Sequence, residues 1–294
     1  MDFLKKEYKI MMNIKYGASL LSWTTPDWTH ESGLYAIEKT AETGFELLEI
    51  LLPHTADFDA PAVKKHLNKH GISAVCSLNF SVETHLPAHP KQALALIKKS
   101  LDRTAALDAD FMGGVLHSAI GCFTGNPVTE AEKDTVVNVW GEAALYALER
   151  GITIGIEPIN RYESYVCNTA ENVLELIEKT GMPNLALHLD TFHMNIEEAN
   201  FKDPILRAGN RLKHLHITES HRGMPGDGTV NWDELFEALN TINFEGNLVL
   251  ENFSSEVSGM QQAVSLWQKS PFSAQELAEG SLAFMKNKVK QFNI

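Results

Sequence analysis

From residue 16 to the C-terminus the chain alternates eight times between two patterns: a short run that is apolar throughout, and a longer segment whose apolar residues recur every three to four positions. Strands that are apolar on both faces belong to a parallel sheet covered by helices, and the 3.6-residue period marks the covering helices. The runs fall at 16–23, 45–51, 72–80, 111–116, 152–157, 185–190, 212–217 and 248–251. The helical segments fall at 34–43, closed by Gly44 as a C-cap, and at 60–70, 90–107, 130–150, 170–179, 204–208, 232–239 and 274–292. Eight such units in 294 residues predict an α/β fold of one domain, a closed (β/α)8 TIM barrel over 14–294. An open doubly wound sheet would carry a Gly-x-Gly-x-x-Gly turn after its first strand, and none is present. Residues 1–13, with Lys5, Lys6 and Lys9, read as an N-terminal extension.

In such a barrel, chemistry belongs at the C-terminal ends of the strands. Four of the runs carry a metal-ligating side chain at or next to their end: Glu157 after Ile-Gly-Ile, Asp190 after His-Leu, His216 after His-Leu, and Glu251 after Leu-Val-Leu. Any one acid alone is more ordinarily a helix cap or an ion-pair partner, a role open to Glu157 before Pro158 and to Asp190 before Thr191. His216, between Leu215 and Ile217, needs a polar partner of another kind. Together the four make an oxygen-rich set suited to one divalent ion, Mn²⁺, Mg²⁺ or Co²⁺, rather than to a thiolate-bound structural Zn²⁺. A dication there would polarise a ketose carbonyl and acidify the neighbouring C–H, and a carboxylate on each face of that carbon would permit epimerisation. His188 and His214, each two residues before a ligand candidate, should point the same way one layer deeper and make structural hydrogen bonds.

Charge and composition narrow the partners. A formal charge of −13 opposes binding to nucleic acid backbones, which also weighs against a multi-metal endonuclease on this barrel. Three scattered cysteines form neither a disulfide framework nor a Cys-x-x-Cys site. No apolar run is long enough to span a bilayer and no signal-peptide pattern opens the chain, so no membrane partner and a cytoplasmic location are expected. Without a Gly-rich phosphate cradle, a free small-molecule sugar is expected rather than a phosphorylated one. A non-catalytic sugar-binding module is the reading from outside enzymology, and paired carboxylates argue against it.

The segments Glu157-Pro-Ile-Asn-Arg161-Tyr-Glu163, Asp190-Thr-Phe-His193-Met-Asn-Ile-Glu-Glu198, His216-Ile-Thr-Glu-Ser-His-Arg222, Pro225-Gly-Asp-Gly228 and Glu251-Asn-Phe resemble the ketose 3-epimerases. That family is typified by D-tagatose and D-psicose (D-allulose) 3-epimerases, within the xylose isomerase-like barrels. The resemblance runs from about residue 16 to the C-terminus and is strongest over 155–267. It implies that Glu157, Asp190, His216 and Glu251 bind Mn²⁺, with Co²⁺ or Mg²⁺ as alternatives. It also implies that Glu157 and Glu251 exchange the C3 proton from opposite faces through a cis-enediolate, and that Glu163, His193 and Arg222 hold the O1–O3 end of the sugar. D-Tagatose, D-psicose, D-fructose and L-ribulose are the implied substrates, and a homodimer or homotetramer the implied assembly, with 253–267 and the last helix as contact. A hydroxypyruvate isomerase-like or keto-glycoside-epimerising relative shares the tetrad and is the alternative reading. The loop from Arg222 to Gly228 is expected to act as a lid, and Trp23 and Trp28 are read equally as an apolar wall near the far end of the sugar or as core or rim aromatics. His117 is placed after the fourth strand at the same end, in a stretch, Val115-Leu116-His117-Ser118, that departs from the family pattern.

Overall fold

The computed structural model describes residues 13–54 and 58–294. The expected extension, apart from Asn13, lies outside them. Eight parallel strands run in sequence order: β1 Ile14–Ser19, β2 Leu47–Leu51, β3 Ser73–Ser77, β4 Phe111–Gly113, β5 Thr153–Ile156, β6 Leu185–Asp190, β7 Leu212–Ile217 and β8 Gly246–Leu250. Gly17 of β1 faces Leu47 of β2 on one side and Val249 of β8 on the other, so the barrel is closed and has no free edge. The helices are α1 His30–Thr43, α2 Ala60–His70, α3 Pro90–Ala106, α4 Glu130–Leu148, α5 Ala170–Thr180, α6 Thr191–Glu197, α7 Lys202–Ala208, α8 Trp232–Thr241, α9 Met260–Ala263 and α10 Ala274–Phe292. Reciprocal capping boxes start several of them, as at Thr29 with Ser32 and Thr169 with Asn172. Among the described residues no helix is long and apolar enough to cross a membrane.

Three strands stop at least three residues earlier than hydropathy predicts. The first ends at Ser19, whose hydroxyl accepts from Leu21 N–H and starts a 3₁₀ turn over Leu20–Ser22. The third ends at Ser77, and the fourth ends at Gly113 because Gly114, at φ 120°, lies against the backbone of Leu78, where a Cβ would come within 2.3 Å of its carbonyl oxygen. Local apolarity continues past each stop, since buried loop ends are as apolar as strands. The short helices α6 and α9 were not expected, being too short for periodicity to reveal.

Inside the barrel, Leu47, Val75, Phe111 and Val249 form a small cluster separate from the larger core between strands and helices. Phe111 stacks flat on His214 at 4.9 Å, and His188 stands edge-on to His214 and His216 at 4.4 and 4.3 Å. These rings fit because β4 and β5 present glycines. A Cβ on Gly113 would meet His188 Nδ1 at 2.7 Å, and one on Gly155 would meet the Phe111 ring at 2.3 Å. The barrel floor is therefore plugged by rings, and the polar groups above it face the C-terminal mouth.

Candidate active site

Glu157 directly follows β5, Asp190 closes β6, His216 lies in β7 and Glu251 directly follows β8; all four are buried. His216 Nδ1 is the point on which they converge. It lies 3.9 Å from Glu157 Oε1, 3.8 Å from Asp190 Oδ2 and 3.8 Å from Glu251 Oε2, and makes no hydrogen bond among the described residues. A buried ring nitrogen left without a partner amid three carboxylates is costly unless something else binds it. Burial pushes the Glu157 carboxyl well above its ordinary range; His216 pulls it down, and the charges of Glu251, Asp190 and Glu49 push with burial. Glu251 is raised likewise by burial, against His216 and Arg222. The ligand atoms of Glu157, Asp190 and His216 lie within 4.8 Å of one another. An orphaned imidazole nitrogen, converging oxygens and an excess of buried negative charge together fit a divalent cation.

The backbone and a deeper layer orient these groups. Asp190 also acts as the expected cap: its Oδ1 accepts from Phe192 N–H at 2.7 Å and starts α6, leaving Oδ2 for the cluster. Thr191 Oγ1 donates to the carbonyl of Thr218, just past β7, at 2.6 Å and accepts from Thr218 N–H at 2.8 Å. His216 Nε2 donates to Glu49 Oε2 at 2.7 Å, and His214 Nε2 donates to the same oxygen at 2.8 Å. This fixes the ring with Nδ1 facing the mouth of the barrel; burial lowers the imidazole, but Glu49, Glu251 and Asp190 raise it well above its ordinary range, so a cation bound at Nδ1 would displace a proton. The hydrogen-bonding role expected of His214 is thus present. His188 differs: neither of its ring nitrogens has a hydrogen-bond partner among the described residues; its ring packs on His214 and His216, and its Nδ1 lies 3.9 Å from Glu157 Oε2.

The other three predicted site residues also reach the mouth. Glu163 Oε1 accepts from Asn160 Nδ2 at 2.9 Å. His193, on α6, accepts at Nδ1 from Asn160 N–H at 3.2 Å, which assigns the proton to Nε2, 3.9 Å from Glu157 Oε1. Burial holds this imidazole down at about 3, Asp190 opposing and Arg222 adding to the effect, so it is a neutral N–H donor. Arg222 adopts the left-handed φ of 57°, fixed by its N–H to Glu219 O and by Phe253 N–H to its own carbonyl. Its guanidinium lies between the rings of Phe192 and Phe253, at 4.0 and 4.8 Å, and donates to Glu251 Oε2 at 2.5 Å. The loop expected as a lid is pinned: the buried Glu219 carboxylate accepts from Ser220, Gly226 and Val230 N–H and from Trp232 Nε1. The cavity above these groups measures about 600 Å³, within the roughly 300–1,000 Å³ of small-molecule sites.

Comparison with known proteins gives the family. Residues 37–288 match the xylose isomerase-like TIM barrel family. The chain is 36% identical to a ketose 3-epimerase of Arthrobacter globiformis over 94% of its own length and 97% of the relative's. It is 33% identical to an L-ribulose 3-epimerase of Methylomonas, over 94% and 98% of the two. A crystal structure of a Methylomonas D-allulose 3-epimerase in complex with D-allulose superposes with a TM-score of 0.88, at 33% identity, over 94% of this chain and 98% of that one. The chain belongs to the ketose 3-epimerases. It is accordingly an isomerase acting on carbohydrates.

Two sets of residues in this 3-epimerase family member stand away from the cavity. Of the two readings open to the tryptophans the core one holds: Trp23 is buried with its Nε1 bonded to Thr40 Oγ1, Trp28 packs at a tilt of 53° against Phe58 at 4.9 Å, and neither lines the cavity. Leu21, Pro26, Leu51, Val115 and Ile120 supply apolar lining to the cavity instead. His117 does not reach the cavity either, because its Nε2 is bonded to the Glu157 carbonyl at 3.0 Å and its Nδ1 to Ser118. The groups that sequence reasoning missed are Glu49, Asn160 and the Phe192–Phe253 pair around Arg222. One signal existed: Glu49 is the single charge inside the otherwise apolar Leu-Leu-Glu-Ile-Leu strand, and a buried charge there demands a partner.

Proposed function

We propose that the protein inverts C3 of free ketoses with the help of one divalent cation held by Glu157, Asp190, His216 and Glu251, Mn²⁺ by preference and Co²⁺ or Mg²⁺ in substitution. The observation that carries this reading is the convergence of three carboxylates, from β5, β6 and β8, at 3.8–3.9 Å around the unpartnered Nδ1 of His216. The cation, when bound, supplies positive charge that polarises the substrate carbonyl and acidifies the adjacent C3–H. Glu157 and Glu251 then act as proton acceptor and donor on the two faces of C3: one removes the proton, the sugar passes through its planar cis-enediolate, and the other returns a proton from the opposite side. His193 presents a neutral Nε2–H and Arg222 its guanidinium to the O1–O3 end, while Glu163 accepts from a hydroxyl. The apolar lining of Leu21, Leu51, Val115 and Ile120 carries no cation for a phosphate, which favours the free sugar. The ketose names of the relatives point the same way.

The test is NMR of the Mn²⁺-loaded protein in D₂O with D-tagatose, D-fructose, D-psicose, L-ribulose and D-xylulose. Deuterium at C3 together with the C3 epimer is the expected result. C3 remaining unlabelled in every sugar while the metal is bound would overturn the reading. We extend the proposal to a cytoplasmic homodimer or homotetramer joined through 253–267, where Trp267 is 73% exposed, and through α10. A monomer by light scattering would remove the assembly part.

A further inference from the structure

On the outer helical layer, Glu38 of α1 faces His66 and His70 of α2. His66 Nε2 lies 3.2 Å and His70 Nε2 3.9 Å from the same oxygen, Glu38 Oε1. The two rings are 4.7 Å apart at 45°, and all three candidate ligand atoms fall within 4.8 Å of one another. Spacing of four residues puts both imidazoles on one face of α2, one turn apart. Both Nε2 atoms are shielded from water; His66 Nε2 is within ion-pair distance of Glu38 Oε1 but poorly aligned for a hydrogen bond, and His70 Nε2 makes none among the described residues. None of the three residues lines the barrel cavity.

An ordinary histidine–glutamate pair would need only the His66 ring, at 3.2 Å, and would leave His70 Nε2, at 3.9 Å from the same oxygen, without a role. A histidine in the last turn of α2 complements the helix dipole when protonated, but that explains neither the second ring nor the aim of both nitrogens at one oxygen. Two buried ring nitrogens left without a well-aligned hydrogen bond beside a carboxylate are what a shared cation would satisfy. We propose that Glu38, His66 and His70 form a second metal site, taking Zn²⁺ through two imidazole nitrogens and one carboxylate oxygen. Tetrahedral bonds of about 2.0–2.1 Å place neighbouring ligand atoms roughly 3.3–3.4 Å apart, and the two measured separations bracket that value. The donor set is richer in nitrogen than the oxygen-dominated cluster at the barrel mouth, so the two sites select different ions. The Glu38 side chain is 44% exposed, so water completes the coordination and the ion exchanges with solvent. A bound ion joins α1 to α2 and stabilises the fold by mass action.

The experiment is Zn²⁺ uptake by the full chain, dialysed against low-micromolar buffered Zn²⁺ and measured by elemental analysis, for wild type, His66→Ala, His70→Ala and Glu38→Gln. Each histidine variant is expected to hold one Zn²⁺ per chain fewer than wild type, whatever the barrel site retains. In a His216→Ala background Zn²⁺ is expected to raise the melting temperature, and adding His70→Ala is expected to cancel that rise. With Mn²⁺ supplied, His70→Ala is expected to keep the wild-type rate of C3 exchange. Equal Zn²⁺ uptake by wild type and both histidine variants would overturn the site, as would a His216→Ala chain whose melting temperature ignores Zn²⁺. Neither readout depends on epimerase activity, so the second site and the proposed reaction fail separately.

Discussion

Replacing Glu49 with Gln tests whether the deep layer of the barrel sets metal affinity at its mouth. Burial alone would push the Glu49 carboxyl up; the imidazoles of His216 and His214, donating at 2.7 and 2.8 Å to one oxygen, override it and hold the group well below its ordinary range. An amide keeps the volume, and its carbonyl oxygen can take the place of Oε2 and accept from both rings, but it carries no charge. The charge assistance that holds the His216 proton on Nε2 is then lost. If His216 moves its proton to Nδ1, the lone pair aimed at Glu157, Asp190 and Glu251 is lost. A charge-assisted hydrogen bond of this kind is worth about 1.5–3 kcal/mol, and outer partners of a ligating histidine typically change metal affinity about 10–100-fold, roughly 1.4–2.8 kcal/mol. The two routes agree, so Mn²⁺ binding by Glu49→Gln is expected to weaken about 10–100-fold. Calorimetric or EPR titration of the metal-stripped chain measures it, with circular dichroism confirming the barrel. Affinity unchanged within about threefold in a folded variant would refute the coupling, since 1.4 kcal/mol corresponds to about tenfold.

Glu157→Gln and Glu251→Gln are each expected to lower kcat by at least about 10²–10⁴-fold with the melting temperature nearly kept; substantial activity in either would refute exchange by two carboxylates. Arg222→Ala should raise KM by roughly 10–100-fold through loss of a charge-assisted contact, and an unchanged KM would remove Arg222 from the site. Gly155→Ala forces a Cβ to 2.3 Å from Phe111 and is expected to cost about 1–3 kcal/mol, read as a lower urea midpoint. His117 is held down at about 4 from 6.5, chiefly by burial, against the pull of the Glu157 carbonyl. Its folded value lies below its unfolded one, so its contribution is complete above pH 6.5 and is lost as pH falls to about 4, up to roughly 3 kcal/mol. Urea melts of wild type and His117→Gln across that window check it, and parallel pH profiles would refute it.

The alternation of apolar runs and amphipathic segments by itself determined the barrel, because burial on both strand faces leaves few other parallel arrangements. The same pattern singled out Glu157, Asp190, His216 and Glu251, polar groups standing where apolar runs stop. What these side chains do once together was decided by closure. Glu49 reaches His214 and His216 across 165 and 167 residues of chain, a contact that exists only because β2 and β7 face one barrel interior. The inward glycines, the ring plug beneath the site and the proton position on His216 follow from that contact layer. Between wall and core, the place of Trp23 and Trp28 was decided in the same way: their direction depends on the turn after Ser19, which hydropathy does not encode. Periodicity reports which face of a local element is buried, whereas hydrogen-bond partners are chosen by neighbours that only the folded chain brings within reach.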